Sequence, residues 1–445
     1  MELTLYYLLF LGIIYYASRE VTTKIAGRRE WELTPEFVLV LSFLVYTSAM
    51  PLSRLFWRST PTDLDIEYMQ VHILGALGMV AGLIVGKIIA GRWAAAPPVR
   101  PGRGTYLRPA KTVALIVTAV AVMFVFILYS VGFSMANILK PYGYEKNVVL
   151  EPSTRDTLTP PFAIVLILTC YAGCLADPHK RKWPRRLVLA GALIVTALFL
   201  ARGERNFSLF MWLPIGCLAL GGRKLPLFKA FVVGVAAFAL YSAVAVVRNF
   251  GLADADSSLV TLASMDPNKG ELGTSFNVYS IFKDKGFSDS LEYGKTYTVD
   301  FLVNLIPVGL WPARPPSTGA KFSIRYYQTE DLVFGAGFSP VVEAEANFSW
   351  PGVLPVFTLF AIFVTVAAQY FRTRRRWGFV CNAMFLPMLV NWNRIDSNAG
   401  GKLFIVYAGF IIIFDRLLYP RATATAVMPW REMPAPLPAS LGRRL

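Results

Sequence analysis

The sequence predicts an all-α polytopic membrane protein, and three observations predict it. Of its 445 residues 55% are hydrophobic, with a mean hydropathy of +0.49. The apolar residues fall in repeated runs of roughly 16 to 25, long enough to cross hydrocarbon as helix. Basic residues gather in alternate connections between those runs, the bias that sets orientation in a bilayer. Hydrocarbon offers backbone N–H and C=O groups no partner, so segments this apolar must be helical; the alternating pattern of a transmembrane barrel is missing.

Eleven spans are expected, at 3–17, 34–53, 69–90, 112–137, 160–176, 187–202, 206–221, 227–247, 350–371, 378–395 and 402–418. The connections "SREVTTKIAGRRE", "GRWAAAPPVRPGRGTYLRPAK", "HKRKWPRR", "GRKLPLFK" and "RTRRRW", with the tail, hold more than half of the 44 basic residues. They therefore face the cytoplasm, which leaves the N-terminus outside and the C-terminus inside. The first apolar run has no basic region before it and no small-residue cleavage site, so it reads as a retained span. The net charge of +16 is accounted for by these loops and does not call for nucleic acid as a partner.

One outer loop dominates, residues 249–349, between spans 1–248 and the last three at 350–418. A loop this long in a compact membrane protein carries function. Within it "TVDFLVNLIPVGLWP", at 297–311, is apolar enough to lie in the interface or re-enter between helices, making a roof over the bundle. The tail at 419–445 is Pro-rich, and the cytoplasmic loops are too short for a catalytic domain, so chemistry belongs at the outer face or within the membrane. No Gly-rich nucleotide signature opens a helix. Cys170, Cys174, Cys217 and Cys381 all lie in expected spans without a CxxC, as buried structural thiols. The two histidines, His72 and His179, are too few for a His-rich metal site, and no carboxylate cluster is built for a metal, so no cofactor is expected.

Charges at the outer ends of spans carry the remaining information, because a charge near hydrocarbon is expensive and tends to be kept for a purpose. Six arginines stand there: Arg202 and Arg205 in "LFLARGERNFSLF", Arg248 in "AVVRNFG", Arg314 in "LWPARPPSTG", Arg325 in "KFSIRYY" and Arg394 in "NWNRIDSNAGG". Each alone could snorkel or pair with a local acid such as Glu204 or Asp396. Together, guanidinium forks suit phosphate oxygens bidentately and point to a phosphate or diphosphate ligand. Two acids, Glu343 and Glu345 in "AGFSPVVEAEANFSWPGVLPV", precede the ninth span. A helix start favours one acid through its dipole, and Asn347 or Ser349 could cap it equally well, but capping does not explain two. The "NFS" triplets at Asn206 and Asn347 match the glycosylation pattern but abut spans.

The turn "GERN", the stretch "IPVGLWPARPPS" and "GFSPVVEAEANF" before a span resemble the Wzy-type oligosaccharide repeat-unit polymerases of bacteria, enzymes distantly similar to O-antigen ligases. The resemblance covers about 200–415 and implies a GT-C-like architecture in the inner membrane with a periplasmic loop. It implies that a growing glycan passes from an undecaprenyl diphosphate donor to the non-reducing end of a lipid-linked acceptor, beside membrane lipids and a chain-length regulator. By position Arg205 matches the family's Gly-x-Arg, Arg314 the basic residue of its Trp-Pro stretch and Glu343 the acid four residues before Asn-Phe. Glu345 stands where the family more often has an aromatic residue. A ligase of the related family would be expected to use a histidine in the large loop, and residues 249–349 contain none. A flippase would carry charges deep within its spans, whereas these spans are nearly free of internal charge and their charges collect at one face.

Overall fold

A computed structural model describes residues 2–21, 33–56, 60–91, 107–130, 158–177, 179, 181–201, 205–220, 271–284, 291–306, 310–311, 313–327, 338–373 and 377–419. Among them the structure is helical, with no strand. The helices are α1 (Glu2–Tyr16), α2 (Pro35–Phe56), α3 (Asp63–Ile89), α4 (Pro109–Ser130), α5 (Thr159–Leu175), α6 (Lys182–Ala201) and α7 (Arg205–Leu220). After these come α8 (Thr274–Asp284), α9 (Val299–Leu305), α10 (Thr318–Tyr327), α11 (Pro340–Phe348), α12 (Val353–Thr373), α13 (Trp377–Trp392) and α14 (Ser397–Leu418).

Helices stand at ten of the eleven expected positions; the eighth, 227–247, lies outside the described residues. Among the described residues five segments are long and apolar enough to cross a membrane: Pro35–Leu55, Asp63–Ile89, Pro109–Tyr129, Lys182–Leu200 and Trp350–Arg372. The protein is thus a helical membrane protein. The other helices at expected spans are shorter, such as α13 with 16 residues, except α14, whose first turn is polar. At about 1.5 Å per residue a 16-residue helix reaches about 24 Å, short of a core about 30 Å thick.

The central pair is α3 with α12, and glycine sets their spacing. A Cβ placed on Gly78 would lie 2.4 Å from the Leu354 carbonyl oxygen, and one on Gly82 would lie 2.3 Å from that of Thr358. A Cβ on Gly86 would lie 2.8 Å from the Thr365 side chain. The numbers rise together along both helices, so the two run parallel with backbones in near contact, as small residues every fourth position permit. Helix α3 starts on a reciprocal cap: the Thr62 hydroxyl accepts from the Asp65 N–H, and the Asp65 carboxylate accepts from the Thr62 N–H at 2.9 Å. At the far end the buried Glu36 of α2 accepts from Gln369 of α12 at 3.1 Å, so α2 runs antiparallel to this pair. All four cysteines are free.

Candidate active site

The short helix α11 carries both acids. Ser339 is its N-cap residue and Pro340 its first position, where the missing N–H of proline costs nothing. The acids precede the ninth-span helix on a helix of their own: α11 ends at Phe348, Ser349 adopts φ 62°, and α12 begins only at Val353. The acids therefore start no spanning helix, and Glu343 sits at the N-terminus of a different one.

That helix is α14. Its N-cap is Asp396, whose Oδ1 accepts from the Ala399 N–H at 2.7 Å and whose Oδ2 accepts from the Gly319 N–H of α10 at 2.7 Å. Glu343 Oε2 accepts from the Ser397 N–H at 2.9 Å and from the Ser397 hydroxyl at 2.8 Å. Its other oxygen, Oε1, is buried with no hydrogen-bond partner, and the residue is wholly inaccessible. Burial, with the Asp396 charge nearby, pushes the Glu343 carboxyl up to about 8, against the opposing influence of Ser397 and of the Thr296 hydroxyl. Two carboxyls stand at one helix N-terminus: Asp396 has two backbone donors, while Glu343 takes up a proton near neutral pH.

The polar surroundings of Glu343 extend further. Asn347 donates to the Thr296 hydroxyl and to the Glu343 carbonyl, both at 2.7 Å, and is fully buried, so the "NFS" triplet there is no glycosylation acceptor. Asn398 donates to the Thr318 hydroxyl at 3.2 Å. Lys321 reaches the buried Asp300 at 2.6 Å. Oδ1 of Asn347 and of Asn398 are, like Glu343 Oε1, buried oxygens without a donor. The cluster thus has a surplus of acceptors, the character expected where hydroxyl groups are to be held.

Glu345 lies two positions on, about 200° around the helix, and faces elsewhere. It pairs with Lys283 of α8, which also pairs with Glu67 of α3 at 2.7 Å. Burial raises the Glu345 carboxyl, opposed by Lys283; burial also works against the Lys283 charge, but the bonds to both glutamates outweigh it and hold the ammonium above its usual value. A second link joins the same three helices. His72 of α3 holds the Tyr68 carbonyl with Nδ1 at 2.7 Å and the Ser275 hydroxyl of α8 with Nε2 at 3.2 Å; Ser275 meets the Ser339 hydroxyl at 3.4 Å. A carbonyl can only accept, so Nδ1 carries a proton. His72 is buried and stacked on Phe43 with centroids 5.6 Å apart, in a structural position inside the bundle and not simply at a helix end.

Of the six arginines, Arg394 is tied to the start of α7, while Arg205, the first residue of that helix, has its side chain outside the described residues. Arg394 ends the turn between α13 and α14, donates to the Asn206 carboxamide at 3.2 Å, and accepts at its carbonyl from the Phe338 N–H at 2.9 Å, next to α11. Asn206 follows Arg205 at the start of α7. Arg314 stands apart: its Nη1 donates to the carbonyls of Asn304 and Ile306, each at 2.8 Å, and so closes the C-terminus of α9. Arg325 is on α10, with its side chain outside the described residues; Arg202 and Arg248 lie wholly outside them. Among the described residues no group of three or more His, Cys, Asp or Glu could hold a metal.

Sequence reasoning did not single out Asp396 as the partner of Glu343, nor Lys283, Ser275 and Ser397. Asp396 carried a signal, as the last acid before a helix rich in small polar residues; the others join the site only through the fold. No protein family, curated relative or solved structure matches this chain.

Proposed function

We propose that this chain polymerises polyprenyl-diphosphate-linked oligosaccharide repeat units at the outer face of the bacterial inner membrane, with its N-terminus periplasmic and its C-terminus cytoplasmic. The observation that carries the reading is Glu343: a buried acid with a pKa of about 8 and one unbonded oxygen, beside the turn that holds Arg394 against α7. In the reaction an acceptor hydroxyl oxygen attacks the anomeric carbon of the donor glycan. The bond from that carbon to the diphosphate breaks, the lipid diphosphate leaves with the electron pair, and the hydroxyl proton passes to the Glu343 carboxylate.

A base with a pKa near the working pH suits a hydroxyl better than an ordinary carboxylate does. Arg205 and Arg394 stabilise the departing charge without a metal, and the acceptor-rich cluster around Asn347, Asn398 and Thr318 holds sugar hydroxyls. A single base and no covalent nucleophile make the displacement inverting. Glu345, paired with Lys283, positions α11 and does not take the proton. The test is polymer length on lipid-linked repeat units: Glu343→Gln and Arg205→Ala should both abolish long polymer, with a chelator leaving the parent chain active. Near-normal polymer from both variants refutes the site.

The second reading is a proton-coupled transporter of the same lipid-linked glycan, favoured by the Glu343 and Asp396 pair, since a buried acid loading one proton near neutrality also suits a proton relay. Translocation without chain growth would select it.

A further inference from the structure

Helix α9 has its polarity inverted relative to a water-facing helix. Asp300 and Asn304, one turn apart, point inward at 5% and 6% exposure, whereas Val299 and Leu302 point outward at 56% and 63%. The outward apolar surface continues through Leu310 and Trp311. A helix beside water places these groups the other way round. The inward face is satisfied: Lys321 pairs with Asp300, Asn304 donates to the Asp300 carbonyl at 2.8 Å, and Phe301 packs so closely on α14 that a Cβ at Gly401 would lie 2.3 Å from its ring.

Helix α9 packs on α14, and the turn before it on the residues that lead into α12, two helices whose outward sides are themselves apolar. The turn before α9 lies on the start of the ninth-span segment, with Tyr297 stacked on Phe348 at 6.3 Å and the Tyr293 N–H donating to the Asn347 carbonyl at 3.1 Å. Phe348 and Trp350 are exposed there and lead to exposed Leu354, Leu359 and Phe363 on α12; Ile405 and Ile413 are exposed on α14. Trp311 and Trp350, with Tyr293, are the amphipathic aromatic residues that favour the level where hydrocarbon meets head groups.

We infer that α9, with Tyr293, Leu310 and Trp311, is sunk into the outer boundary of the bilayer, its apolar face against lipid chains and its polar face forming a wall of the Glu343 cluster. The occupant of this surface is lipid. A soluble partner or second copy would have to cover a strip that adjoins the outward apolar sides of α12 and α14. The roof over the cluster is then a lipid-bathed wall, and an amphiphilic ligand could keep its chain in the membrane while its head reached Asp300, Asn304 and Lys321.

The test places a nitroxide at Val299→Cys, Leu302→Cys or Leu310→Cys in lipid nanodiscs, with the unsubstituted chain labelled in parallel for background. Lys295→Cys, half-exposed in the adjoining turn, is the water-side control. Collisions with oxygen, which concentrates in hydrocarbon, are compared with collisions with a water-soluble nickel chelate. High oxygen and low nickel access at 299, 302 and 310, with the reverse at 295, is the expected result. High nickel access at the three sites overturns the inference in favour of water, and low access to both overturns it in favour of a protein partner. Quenching of tryptophan by lipids brominated along their chains gives a label-free measure: it should fall in Trp311→Phe, and unchanged quenching counts against the inference. These measurements need no substrate, so failure of the polymerase reading leaves them intact, and the reverse holds equally.

Discussion

Replacing Glu343 by Gln separates the acid's chemistry from its place in the fold. With a pKa of about 8, Glu343 is protonated in roughly nine molecules of ten at pH 7, so the neutral amide copies its resting charge. The Gln carbonyl can accept from the Ser397 N–H and hydroxyl as Oε2 does, and its NH2 can meet one of the donor-less oxygens nearby. The protonated wild type and the variant should therefore be similarly stable at low pH. The folded pKa is raised above the unfolded value of 4.5, so the wild type is favoured below pH 4.5 and loses that stability as pH rises to about 8.

The loss is about 1.4 kcal/mol per pH unit, or about 5 kcal/mol over the whole interval. Apparent melting of both proteins in detergent between pH 5 and 9 reads it. The variant should gain on the wild type steadily between pH 5 and 8 and no further above, while transfer falls by about 10²–10⁴, the range a general base contributes. A stability gap independent of pH would refute the argument, because it would mean that Glu343 titrates in the folded chain as it does in water.

Three other outcomes follow from the geometry. Asp396→Asn removes the charge that helps hold Glu343 protonated while keeping an acceptor for α14, so the pH at which labelling of Glu343 by a hydrophobic carbodiimide is half lost should drop below that of the wild type. Lys283→Met leaves Glu345 buried without its cation and should destabilise toward the lower end of roughly 3–5 kcal/mol, since Lys283 is 21% exposed; adding Glu345→Gln should restore much of the loss in melting temperature. Gly82→Val drives a side chain into the Thr358 carbonyl and should cost about 1–3 kcal/mol or more, seen as a lower melting temperature, whereas the same change at Gly12, which has open space around it, should be nearly silent.

The helical membrane class was legible because hydropathy and charge bias are local properties of the chain. Span number was less legible: α1, α5, α7 and α13 are helices where runs of apolar residues lie, but their lengths leave crossing undecided by composition. The acid pair at 343 and 345 was visible as an oddity before an apolar run. Its meaning was not, since the partners that define it, Asp396 and Ser397 for one acid and Lys283 for the other, lie more than fifty residues away in sequence. The arginines illustrate the same limit. Their shared position near the ends of apolar runs could be read from the pattern, but a pattern could not separate Arg314, bonded to its own neighbourhood, from Arg394, which ties α7 to the site. The inverted face of α9 is hidden in sequence because a 3.6-residue period has the same form whichever side faces out.

The central claim is that Glu343 takes a proton from an acceptor hydroxyl during glycan transfer. It is tested most directly by the pH dependence of transfer between synthetic polyprenyl-diphosphate repeat units, by the purified chain in nanodiscs. The account predicts chain growth whose rate rises with pH and levels near pH 8, and no growth at any pH with Glu343→Gln. Growth that persists in Glu343→Gln, or that falls as pH rises toward 8, would contradict it.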